Sequence, residues 1–175
     1  AGYAMADLYR DFGRALLESE RPGNLSADEL EQYDLLLEEQ AFPFEEKAID
    51  IHERNVRRAA EGLYDEWVQR SFAALAELKP GRWARIEREA GAEPAALDLE
   101  SIESVLAANP ADAVALNRLG IAYRRLGRFE DARAAYTQAI ALDPASADAE
   151  CNLAILLDLY LDDPAAAVPH YERYQ

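Results

Sequence analysis

What this 175-residue chain lacks narrows its chemistry at once. It has one cysteine, Cys151, so an internal disulfide and a thiolate metal cluster are both excluded. It has two histidines, His52 and His170, and no spacing in the sequence brings them together. No apolar run approaches the roughly 18 residues that span a bilayer, so no direct membrane insertion is expected. Period-two alternation is missing too, and with it any sign of strands. Basic side chains are scarce: 18 against 34 acidic ones, a net charge of −16. That field repels phosphate backbones, which argues against nucleic acid and anionic membranes as partners and favours basic ones. There is no Gly-rich phosphate loop, Cys-x-x-Cys pair, Gly-x-Ser-x-Gly elbow or EF-hand loop. Neither an enzyme nor a cofactor is implied.

What is present is helix, with abundant alanine and few β-branched residues. Leu116, Leu119, Gly120 and Tyr123 fall at i, i+3, i+4 and i+7 and make one apolar stripe. Gly120 removes a side chain where two helices approach, with Ala132 as the matching small surface. Gly127 stands where a left-handed residue ends a first helix. Ala132, Tyr136 and Ala139 line a second helix that stops at Asp143-Pro144.

This order resembles the tetratricopeptide repeat, a helix–turn–helix unit of about 34 residues with a Leu-Gly-x-x-Tyr…Ala-x-x-x-Tyr…Pro signature. The clear repeat spans 113–144 and a partial one 147–175. In the latter, Leu153, Ala154 and Leu157 take the slots of Leu119, Gly120 and Tyr123. Ala167, Tyr171 and Tyr174 fit its second helix once one residue is inserted around Leu161-Asp162-Asp163. Glu150 replaces the first large apolar residue. Residues 98–110 read as the second helix of a preceding unit, closed by Pro110. The resemblance implies an all-α, right-handed superhelix of antiparallel helical hairpins, a TPR-like solenoid.

Upstream, residues 1–90 read as a diverged helical region and 91–97 as a linker to the 98–175 repeat region. Leu8, Phe12, Ala15 and Leu16 form one helical face. Ser26 with Glu29 makes a capping box, followed by apolar Leu30, Tyr33, Leu36 and Leu37 up to a break at Pro43. A third helix buries Ala48, Ile49, Ile51 and Val56. Gly62 precedes a fourth with Leu63, Trp67, Phe72, Leu75 and Leu78, and Trp83 with Ile86 anchors a short piece. Both tryptophans read as core. Runs such as Glu38-Glu39, Glu45-Glu46 and Arg57-Arg58 read as solvated faces. His52 reads as a surface histidine; a metal site with Asp50 and Glu53 is the rival, weakened because Ile49 occupies the useful spacing. Residues 7–85 also resemble repeat proteins of Gram-negative envelopes, which implies a periplasmic or outer-membrane-associated location, with the cytoplasm as the alternative.

Stacked hairpins of this kind offer a concave groove to peptides. Its expected lining is Val114, Asn117, Arg118, Ile121, Arg124 and Arg125, continued by Asp148, Cys151, Asn152, Ile155 and Asp158. Asn can hold a peptide backbone by paired donor and acceptor contacts, and Arg can fork onto a carboxylate. Some repeat proteins clamp a chaperone's terminal carboxylate this way. Arg118 and Asn152 fit such a clamp while Ile121, Asp148 and Cys151 do not. The function expected is a scaffold for a protein or peptide partner. The alternative is self-association, a homo-oligomer through an open C-terminal face, because the sequence stops at Gln175 with no capping helix after it. The start at Ala1 without methionine suggests a removed targeting segment or an excised piece.

Overall fold

The structure is a computed structural model describing residues 2–88 and 98–174. Among them every regular element is helical. The linker expected at 91–97 lies outside the described residues. The chain forms two compact units, Ala1–Arg58 with Asp65–Ala84, and Ala59–Tyr64 with Arg85–Gln175.

The first unit is built from α1 (Gly2–Leu17), α2 (Ala27–Val56), α3 (Glu66–Leu78) and the single turn α4 (Pro80–Trp83). The capping box at Ser26 and Glu29 is formed, each side chain meeting the other residue's backbone N–H. Helix α2 does not break at Pro43. The stripe Leu37, Ala41, Ala48, Ile51 and Asn55 keeps one helical phase across the proline, so only an unbroken helix buries all of it. Pro43 is itself exposed, as is Glu39, the residue whose carbonyl loses its donor, so water can take the missing bond.

Helix α1 presents a different face from the one its large residues suggest. Ala6 and Gly13 are buried, while Leu8, Phe12 and Ala15 are exposed and Leu16 is half-buried. Small residues win because they let backbones approach: a Cβ on Gly13 would sit 3.6 Å from both the Ala41 carbonyl and Phe44 Cβ. Leu30 and Leu36 of α2 are likewise exposed. On α3 the buried set is Val68, Ser71, Ala74 and Leu75. Leu63 and Trp67 stay about half exposed, Trp67 resting against the Tyr3 ring and Arg70. Trp83 is core, but Ile86 anchors no helix: residues 84–88 lie outside any regular element and Ile86 is 82% exposed.

His52 is not on the surface. It is fully buried, its Nδ1 3.2 Å from Ser71 Oγ, and Asn55 donates to the same hydroxyl at 2.7 Å. Burial, helped by the positive Arg10, lowers its pKa. Among the described residues no cluster of histidine, cysteine and carboxylate side chains could hold a metal.

The second unit stacks α5 (Leu99–Ala108), α6 (Ala113–Arg125), α7 (Phe129–Leu142), α8 (Ala147–Ile155) and α9 (Pro164–Tyr174). Asp98, Asp112 and Ser146 cap α5, α6 and α8, each accepting a backbone N–H three residues on. Leu116, Ala139 and Ala149 form a core cluster joined by Leu106, Leu119 and Ile140, so each helix packs on the next. The space over Gly120 is filled by the fully buried ring of Tyr136, with Ala132 buried one turn earlier on α7. Gly127, at φ 75°, closes α6 with bonds from its own N–H to Arg124 and from the Arg128 N–H to Tyr123. The inserted residue of the next hairpin is absorbed by a π turn at Leu156–Tyr160, where Leu161 N–H reaches back five residues to Leu156.

Candidate functional site

Two buried asparagines on neighbouring first helices define the site. Asn117 of α6 and Asn152 of α8 are both essentially inaccessible, and Asn152 donates to Asn117 Oδ1 at 3.0 Å. Buried amides need partners for every remaining donor and acceptor. Here those partners come from the segment Arg85–Arg88, which lies across α6 and α8. The Arg88 N–H donates to Asn152 Oδ1 at 2.7 Å, and the Arg88 carbonyl accepts from Asn152 Nδ2 at 2.7 Å and from Asn117 Nδ2 at 3.2 Å. One asparagine thus grips both polar groups of a single residue's backbone, and the second reinforces the carbonyl.

Beside this grip, Glu87 enters a seat made by Arg124 and Tyr136. Arg124 Nε donates to Glu87 Oε2 at 3.0 Å and its Nη2 to the same oxygen, while the Tyr136 hydroxyl donates to Oε1 at 2.7 Å. The Glu87 side chain is 6% exposed and that of Arg124 17%. Burial works against the Arg124 charge, but the hydrogen bond and negative charge of Glu87 outweigh it and raise its pKa. Burial also pushes the Tyr136 hydroxyl well above its ordinary range, with Glu87 adding to the shift. Behind the seat Tyr64, Phe129 and Tyr160 pack edge and tilt against one another, and Arg124 lies 5.3 Å from the Tyr160 ring centre. Burial lifts Tyr160 to about 12. These phenols stay protonated at neutral pH.

At the other end of the segment Arg85 reaches Asp158 Oδ2 at 3.0 Å and stacks 4.5 Å over the Tyr171 ring. Arg88 stacks over Tyr174 at 4.7 Å. Beside it opens a cleft of about 490 Å³ whose walls include Ile86, Cys151, Ile155 and Tyr171. Burial raises the Cys151 thiol pKa, so the sulfur there is a neutral, apolar wall.

Of the residues expected to line a groove, Asn117, Arg124, Asn152 and Asp158 meet on this segment. Ile121 and Ile155 are buried beside them, Arg118 is half-buried, and Val114 and Arg125 are exposed. Asn117, Ile121, Asn152 and Ile155 are thus covered rather than open to solvent. Sequence reasoning missed the occupant: residues 85–88 carry no motif and were expected as part of a helical piece. It also missed the Tyr136 hydroxyl, hidden because Tyr136 already had a packing role. The signal for the grip itself is two asparagines and an arginine on the faces of first helices; nothing comparable marks the segment they hold.

Residues 113–146 match the tetratricopeptide repeat family model. No curated protein matches the chain. Among solved structures, a mutant of MamA is 17% identical with a TM-score of 0.41, the match covering 97% of this chain and 94% of that one. MamA from Desulfovibrio magneticus RS-1 is 22% identical with a TM-score of 0.42, over 97% and 93% of the two chains. The fold described above rests on this chain's own helices and side chains.

Proposed function

We propose, for a chain that carries a tetratricopeptide repeat at residues 113–146, that it is a non-catalytic scaffold that grips extended polypeptide through the face shared by α6 and α8. One observation carries the reading: Asn152 contacts both the N–H and the C=O of Arg88, a recognition of main chain that is indifferent to side-chain identity. The residues of the grip are Asn117, Arg124 and Asn152, with exposed Val114 and Arg125 and half-buried Arg118 as the approach and Ile121 and Ile155 as the floor. The net charge of −16 favours partners with basic segments.

Nothing in the charge balance suits nucleic acid. Among the described residues no helix is long and apolar enough to cross a membrane. An envelope location, periplasmic or at the outer membrane, is part of the proposal and is supported by the resemblance of residues 7–85 alone. The test is affinity capture with cross-linking through a photoreactive residue at position 125. A partner should be trapped by the wild-type chain, and trapping should fall when Asn152→Ala is combined with Arg124→Ala. Undiminished trapping by a folded double variant would place binding elsewhere.

A further inference from the structure

The occupant of the grip belongs to the chain itself, and its contacts spell out a ligand. Arg124 and Asp158 stand 34 residues apart, the same slot in consecutive hairpins. One receives the segment's acid, Glu87, and the other its base, Arg85. Two opposite charges in equivalent slots fix both the direction and the register of whatever lies across them, since a reversed segment would set like charges together. Asn117 and Asn152 then hold the backbone one residue past the acid, and Tyr174 offers a ring to a following cation. The residue between base and acid is left to solvent, as the 82% exposure of Ile86 shows.

We infer that Arg85–Arg88 is an internal ligand, and that the second unit binds in trans an extended partner segment of the order cation, any residue, carboxylate, cation, in competition with it. The inference rests on the peptide-gripping reading above and adds the ligand pattern and the internal competitor. A tethered competitor acts at an effective concentration of about a millimolar, so the free segment meets a groove that is open for only a fraction of the time. The apparent affinity of any partner falls by that fraction. Side-chain seats confer the selection: a buried Arg124 left without a carboxylate is an uncompensated charge, so segments lacking the acid are rejected.

The experiment uses a dye-labelled, end-blocked pentapeptide Ala-Arg-Ile-Glu-Arg, the sequence of residues 84–88, titrated into the full chain with anisotropy as readout. Arg85→Ala loosens the internal segment at its more exposed end without touching the Glu87 seat, and Glu87→Gln loosens it at the seat; circular dichroism and melting report folding. The Arg85→Ala chain should take the peptide about tenfold more tightly than wild type. On that variant, replacing the peptide's Glu by Gln should cost about tenfold or more. If Arg85→Ala does not fold, Glu87→Gln serves in its place with the same expectations. Equal affinity for wild type and loosened chain, or indifference to the Glu-to-Gln change, overturns the inference. A loosened chain that dimerises and ignores the peptide assigns the segment to a second copy, and also overturns it. Capture of partners through Asn152 and Arg124, with no binding of this peptide, leaves the gripping reading standing and removes only the pattern.

Discussion

The two hairpins of the second unit occupy equivalent slots with different chemistry, and the differences fall where the site is. Gly120, pressed by the Tyr136 ring, corresponds to Ala154; Arg124 corresponds to Asp158; Leu116 corresponds to Glu150. Gly127, one step further, corresponds to Asp162 once the extra residue of the π turn is counted. Glu150 is buried, yet it is held by Arg173 at 2.7 Å and His170 at 2.6 Å, both from α9. The second hairpin therefore replaces an apolar contact between its helices with an ion cluster. The repeat frame constrains size and phase strongly and charge hardly at all. Charge is free to diverge between hairpins, and Arg124 and Asp158 exploit that freedom to receive opposite ends of one segment.

The largest test of that contrast is to break the buried pair. Arg124→Met should leave Glu87 with only the Tyr136 hydroxyl in a nearly closed seat, and removing one partner of a buried ion pair typically costs about 3–5 kcal/mol. Asp158→Asn should cost less, because its partner Arg85 is 38% exposed and can turn to water, although the Asp158 side chain itself is only 10% exposed. Urea unfolding of both variants settles the comparison. Equal losses would show that the two slots are not differently buried in solution.

Next in size is the small-residue slot. A Cβ on Gly120 would stand 2.8 Å from Tyr136 Cζ and nearer still to two other ring carbons. Tyr136 cannot retreat, since its hydroxyl is bonded to Glu87 and its ring is fully buried. Gly120→Ala should therefore cost about 1–3 kcal/mol by overpacking. Gly127→Asp belongs in the same range, because φ is positive there and a Cβ would meet Tyr64 Cδ1 at 2.8 Å. The same methyl is already tolerated at Ala154. Thermal melting that leaves Gly120→Ala unchanged would mean the Tyr136 ring is not where the packing places it.

These slots also show what the sequence could and could not reveal. The repeat's helices and its Gly127 turn were readable, because size, phase and left-handed backbone leave marks at fixed offsets; the one-residue insertion was readable too, but the π turn takes it up at Leu156–Tyr160 and not around Leu161-Asp162-Asp163. The gripping residues Asn117, Arg124 and Asn152 were readable as polar side chains on an apolar face. Their occupant was not, because an irregular segment satisfied by side chains has no periodicity to find. In the first unit the phase was misread for a related reason. Helices α1 and α2 approach on Ala6, Gly13 and Ala41 rather than on Leu8 and Phe12, so large residues marked the wrong face. His52 and Trp67 exchanged expected places because the core of that unit closes on Ser71 and Asn55, a polar cluster with no spacing signal.

Acid sharpens the Leu116–Glu150 contrast. Burial alone would raise the Glu150 pKa, but the hydrogen bonds from Arg173 and His170 and their positive charge outweigh it, and the folded value lies below 4.5. The unfolded chain then binds the proton first, so the stabilisation is complete above 4.5 and is lost as pH falls through the folded value. Wild type should lose stability over that window faster than Glu150→Leu, which removes one partner of the cluster and should cost about 1–3 kcal/mol at neutral pH, less than a fully buried pair because Arg173 is half exposed. Parallel acid-unfolding curves would remove the cluster from the account of this hairpin.

The smallest effect belongs to the inter-helix turns. Asp162 adopts φ 52°, a left-handed conformation that Gly127 fills at no steric cost in the preceding hairpin. Aspartate tolerates this region better than most residues, since its short polar side chain can bond locally. Glycine should nonetheless suit it slightly better, offset by the larger entropy that glycine loses on folding. The two terms nearly cancel, and Asp162→Gly is expected to gain no more than about 0.5 kcal/mol, read as a small rise in melting temperature. Asp162→Val separates them: a β-branched residue keeps the chain stiff but resists positive φ, and it should lower the melting temperature where glycine raises it. Should valine be harmless, the π turn would be absorbing the inserted residue without any left-handed backbone, and the correspondence between Asp162 and Gly127 would fail.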